Sequence, residues 1–171
     1  AGGTLRKTAA SRIKTYVGSG LAAASQWRMT SDFTGDAVPM ASNWEEVDAP
    51  TGFGILGSSV TESSGVFTFP STGYWLIMAK LQVFGTNSNN YTVLVLGTTH
   101  DNSTWAAATQ AYAHFGSSDP GGVTSEYIMD VTSTSTHKVR LESHQEDNAN
   151  TTLGQTGYHA TGLTFIKLGD T

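Results

Sequence analysis

The stretch from Gly65 to Val83 constrains the fold of this chain more than any other. It begins Gly65-Val66-Phe67-Thr68-Phe69-Pro70-Ser71-Thr72-Gly73-Tyr74-Trp75-Leu76-Ile77-Met78-Ala79 and continues through Leu81 to Val83. A β-rich run ends at Pro70, which has no N–H to give to a ladder and belongs at a strand end. Gly73 supplies the backbone freedom for a turn over Ser71 and Thr72. A long strand follows. Side chains alternate along a strand, so Trp75, Ile77, Ala79, Leu81 and Val83 share one face and Tyr74, Leu76 and Met78 the other. Both faces are apolar over the first half, so both are expected to be covered. One would meet a sandwich core, the other a second subunit.

The remaining sequence agrees with an all-β sandwich. Phe53–Leu56, Val60–Glu62, Tyr91–Thr98, Gln110–Phe115, Val123–Val131, His137–Leu141 and Tyr158–Leu168 read as strands. Turn formers such as Asn87–Asn90 and Asp119-Pro120-Gly121-Gly122 separate them, and Glu142–Gly157 reads as a long polar loop. Eight to ten strands at this spacing suit a double-sheet jelly roll. Charged residues make up only 13% of the chain, against roughly 25% in an average domain, which suits short strands joined by tight loops. A chain of 171 residues can bury a core without a staple. The absence of cysteine excludes disulfides, Cys-ligated metals and thiol nucleophiles. No apolar run approaches the roughly 20 residues of a membrane helix, so no membrane partner is expected.

Charge divides the chain. Arg6, Lys7, Arg12, Lys14 and Arg28 all precede the first acidic residue, Asp32, while the rest holds four basic and fourteen acidic residues. Residues 1–26 are therefore read as a basic arm and linker, with Ser19–Ala24 as its small-residue end, and 27–171 as the jelly-roll domain. Leu5, Ala9 and Ile13 recur at helical spacing. A short helix over Leu5–Lys14 would present Leu5, Arg6, Lys7, Arg12, Ile13 and Lys14 to a docking partner. So short a helix is marginal alone and is expected to order against that partner. The arm carries too few charges for a strong phosphate footprint and the body is acidic, so nucleic acid is not an expected partner.

The run Gly65-Val66-Phe67-Thr68, then Pro70 and Gly73-Tyr74, resembles a signature of the globular heads of the complement C1q and tumour necrosis factor family. The run Ala160-Thr161-Gly162-Leu163-Thr164-Phe165-Ile166-Lys167-Leu168 resembles that family's closing strand, and Trp44–Thr51 takes the place of its polar turn. The resemblance covers about residues 27–168. It implies a C1q/TNF-like jelly roll of ten strands assembled as a tight homotrimer, with Tyr74, Leu76, Met78 and Phe165 at the trimer interface. The sequence as given opens on the basic arm, with neither a signal-peptide core nor a collagen-like stalk. That departure favours a structural protein of a virus particle: a capsid decoration (cement) protein or a tail or fibre knob on the virion surface. Its partners would be its own copies and a capsid or tail protein. The alternative is an extracellular recognition head binding a host receptor or glycan.

Catalytic chemistry has no motif behind it. The five histidines form no helical metal pair, and His114 and His159 are expected to be packed within apolar strands. The adjacent carboxylates Glu45-Glu46 and Glu146-Asp147 read as solvated loop residues. No Gly-x-Ser-x-Gly elbow is present. Asp101-Asn102-Ser103 and Asp147-Asn148-Ala149-Asn150 offer oxygens of the kind calcium takes, yet neither matches a defined calcium loop. No enzymatic activity, cofactor or metal is expected.

Overall fold

Residues 20–86 and 90–171 are described in a computed structural model. Among them lie twelve β-strands and no helix. In chain order these are β1 (Ala24–Met29), β2 (Phe33–Thr34), β3 (Trp44–Glu46), β4 (Thr61–Ser63), β5 (Val66–Thr68), β6 (Gly73–Phe84), β7 (Asn90–Thr99), β8 (Ala106–Phe115), β9 (Pro120–Val131), β10 (Lys138–Gln145), β11 (Thr151–Thr152) and β12 (Gly162–Gly169).

They form two antiparallel sheets. Sheet A has the order β2-β11-β6-β12-β1-β3, with β9 paired to β6 along its full length. Sheet B has the order β4-β5-β10-β7-β8. The sheets face each other across one core, the two-layer solution that lets each bury its apolar side.

Strand β6 fills that core as its alternation requires: Trp75, Ile77, Ala79, Leu81 and Val83 are all buried. Phe67 and Phe69 enter from the opposite sheet and its following turn. Phe69 lies 5.3 Å from Trp75 and Phe67 lies 5.0 Å from Trp44, ring centre to ring centre. Burying a large apolar side chain contributes about 1.5–3 kcal/mol, so this aromatic cluster is a main source of stability. The turns between these strands explain the glycines of the motif. Gly65 and Gly73 have φ of +79° and +132°, where a side chain is strained.

Several expectations need correcting. Phe53–Leu56 is a loop, joined to the sheet only by a bridge from Leu56 to Ala24; its side chains are exposed, so hydrophobicity there does not report core. Glu142–Gln145 belongs to β10 rather than to a polar loop, and pairs with β7. Sheet A begins before residue 27: Ala23 and Ser25 are buried and β1 starts at Ala24. The expected helix and docking residues Leu5, Arg6, Lys7, Arg12, Ile13 and Lys14, and most of the Asn87–Asn90 loop, lie outside the described residues.

Candidate functional site

The outer face of sheet A is where the alternation of β6 leaves apolar side chains in water. Tyr74 is 44% exposed and Met78 38%, with Leu76 half-buried between them. Register places Ile128 of β9 and Ile166 of β12 on either side of Leu76. Ile128 is 56% exposed. Across the ladder from Tyr74 and Met78 stand Asp130 and Glu126, so carboxylates rim the apolar centre on the β9 side. An antiparallel sheet with one wet face ordinarily alternates apolar-in with polar-out. Here the outward positions at the middle of the sheet break that rule. These residues are therefore the candidate interaction surface of the protomer.

Beside this patch is a depression of about 300 Å³ lined by Met78, Lys80, Thr124, Glu126, His159 and Thr164. Lys80 Nζ donates to the His159 carbonyl at 3.1 Å, and His159 Nε2 lies 3.1 Å from the Trp27 carbonyl. That close approach requires Gly162, because a Cβ there would meet the Trp27 oxygen at 2.1 Å. Burial pushes the His159 pKa below its ordinary value, helped by the charges of Lys80 and Arg28 and opposed by the hydrogen bond to Trp27.

The sequence-based interface residues separate. Tyr74, Leu76 and Met78 lie together on this face. Phe165 does not: it is fully buried, its ring 5.5 Å from Phe67 and 5.9 Å from Phe69. The parity of β12 points it into the core, so no second subunit can touch it. Ile128 was missed. Its signal was alternation over β9, where Tyr127 and Met129 take the inward positions and leave Ile128 outside.

Other candidate chemistry resolves into structure. Glu45 pairs with the buried Arg28, and Glu46 accepts a hydrogen bond from Ser59 Oγ, so these two are not the solvated loop pair expected. Asp101 Oδ1 accepts from Thr99 Oγ1 at 2.9 Å and from the amides of Ser103 and Thr104 at 2.8 and 2.7 Å. The Thr104 amide foremost, then that of Ser103, hold its pKa far below the carboxylate range. Asp147 accepts from the Ala149 amide. Among the described residues no three His, Asp or Glu side chains stand together as a metal set. His114 is exposed rather than packed, its ring 5.7 Å from Tyr91 on the outer face of sheet B.

No family model matches the chain, and no curated protein matches its sequence. Solved structures do match in fold. Murine APRIL, crystallised at pH 5.0, superposes with a TM-score of 0.61 at 10% identity, over 85% of this chain and 98% of that one. Eiger TNF from S. frugiperda superposes with a TM-score of 0.62 at 15% identity, over 86% of this chain and 93% of that one. At such identities the likeness speaks of the fold alone, and the fold of this chain is a TNF-like jelly roll.

Proposed function

We propose that this chain is a non-enzymatic recognition head that assembles as a homotrimer through the outer face of sheet A and presents its remaining surface, outside the cell, to a receptor or glycan. The observation that carries this is the patch of Tyr74, Leu76, Met78 and Ile128. None of these side chains belongs to the core cluster, and they leave apolar surface in water. Covering them removes apolar surface from water at about 25 cal/mol per Å². The resemblance to C1q and tumour necrosis factor heads supports three copies around that face.

The reading as a capsid or tail protein rests on the docking residues of the basic arm, Leu5 to Lys14, which lie outside the described residues. The recognition-head reading is the one the described fold favours. Light scattering tests the assembly. The intact protein should have three times the 18.1 kDa mass of the chain, and an Ile128→Glu, Met78→Glu double variant should be monomeric yet folded. A wild-type protein that stays monomeric at micromolar concentration overturns the proposal.

A further inference from the structure

The outer face of sheet B carries a second departure from polar-out alternation, far removed in kind from the first. Tyr91 of β7 and Tyr112 and His114 of β8 form a continuous row of rings. The Tyr91 ring centre is 6.0 Å from that of Tyr112 and 5.7 Å from that of His114. Tyr112 is 56% exposed. None of the three belongs to the core cluster.

Next to these rings the register lines up polar groups. Tyr112 faces Val93, which faces His144 of β10; Gln110 faces Val95, which faces Glu142. Glu142 is held rigidly. Arg140 Nε donates to its Oε1 at 2.6 Å, and His144 Nε2 lies 3.1 Å from its Oε2. Arg140 in turn stacks over Trp105, 4.4 Å from the ring centre. Gly97 lies beneath this pair and makes room for it, since a Cβ there would sit 3.0 Å from Glu142 Oε1. Glu142, Arg140 and His144 therefore satisfy one another's hydrogen-bonding groups. What the face offers a ligand is ring surface, phenol hydroxyls, an amide and imidazole nitrogens.

We infer that this face is a platform for the neutral sugar residues of a glycan. A pyranose ring has an apolar C–H face and a rim of uncharged hydroxyls. Tyrosine matches it with an apolar body and a polar tip. Among the described residues of this face, Arg140 is paired with Glu142, and Lys138 of the same strand donates to Thr68 Oγ1 and the Thr134 carbonyl, so both cations already have partners and the rings beside them suit a neutral ligand. Stacked rings also take nucleobases, but residues 20–171 hold five basic and fourteen acidic residues, which repels a polyphosphate chain. This inference rests on the recognition-head reading and names its ligand class.

The test uses the full chain on an array of neutral gluco-, galacto- and manno-configured oligosaccharides, followed by calorimetric titration of the sugars retained. Wild type should bind. Tyr112→Ala should weaken binding by about tenfold or more, in line with removing one stacking ring, whereas Tyr112→Trp should stay within a few-fold. Both variants should keep the wild-type mass and melting temperature, because Tyr112 is exposed and on the sheet opposite the proposed self-association face. The inference is overturned if no neutral sugar binds, if only acidic sugars bind, if Tyr112→Ala binds as wild type, or if Tyr112→Ala abolishes binding of a protein while sugars are ignored. A wild type that is monomeric yet binds sugar through Tyr112 refutes the trimer and leaves the platform standing.

Discussion

The fully buried guanidinium of Arg28 donates through Nε to Glu45 Oε1 at 2.7 Å. The same group reaches Asp48 Oδ1 at 2.6 Å and the Ala49 carbonyl at 2.7 Å. Arg28 thus ties the connection after β3 to β1, the strand next to the edge of sheet A, and the last cation of the basic N-terminal stretch is neutralised inside the fold. Removing one side of a buried ion pair leaves uncompensated charge or unfilled space and costs about 3–5 kcal/mol. Arg28→Ala should lower the unfolding free energy by an amount in that range, read as a lower urea midpoint at unchanged m-value. Asp48→Ala should cost well under ~1 kcal/mol, because that carboxylate is mostly in water. Equal effects from the two variants would show that the cluster does not work this way.

Acid should weaken the fold through its buried imidazoles. His159 titrates below its ordinary value because of burial, and His137 does so because of burial and the nearby His100, whose ring centre is 4.5 Å away. A histidine depressed in the folded state binds its proton more readily when unfolded. Between the two pKa values the unfolded chain holds more protons, so stability is present above pH 6.5 and is lost as the pH falls below it. The slope cannot exceed about 1.4 kcal/mol per pH unit for each histidine. Urea unfolding from pH 7.5 to 5 should show this decline, and His159→Gln should flatten it while keeping a donor for the Trp27 carbonyl. A profile identical to wild type in that variant would remove His159 from the account.

The two motif glycines should resist replacement for reasons of backbone, not of packing volume. At Gly65 a Cβ would meet the Met40 carbonyl oxygen at 2.4 Å, and at Gly73 the Gly169 carbonyl oxygen at 2.3 Å. Positive φ adds strain of about 1–3 kcal/mol at each site. Gly65→Ala and Gly73→Ala should each lower the thermal midpoint measurably, whereas Gly52→Ala, which meets open space at φ +106°, should lower it by strain alone. Midpoints for Gly65→Ala equal to that of Gly52→Ala would show that the turn gives way.

Strand β6 was legible from sequence because its inward residues repeat with a strict period of two between Trp75 and Val83. So was its companion in the core, where Phe67 and Phe69 flank Thr68. The all-β class followed from these runs and from the turn formers between them. Which outward residues would lie together was less legible, since it depends on register. Phe165 shows the limit: its apolar character was plain, but only the pairing of Phe165 with Ile77 in the β12–β6 ladder fixes which way it points, and a one-residue slip would have reversed it.

Sequence alone determined the reversal over Ser71-Thr72-Gly73 and the inward face of β6, because turn chemistry and alternation are local properties; the reversal expected at Asp119–Gly122 lies at 116–119 instead, with Pro120–Gly122 already in β9. Only the tertiary structure decided that Ile128 joins Leu76, that Tyr91 meets Tyr112 and His114, and that Glu142 is clamped between Arg140 and His144 within a strand rather than solvated in a loop. The first two meetings are made by ladders between segments many residues apart; the third follows once pairing with β7 makes 138–145 a strand, which puts Arg140, Glu142 and His144 on one face. Cross-strand register, set by the whole sheet at once, has no signature in any single stretch of chain.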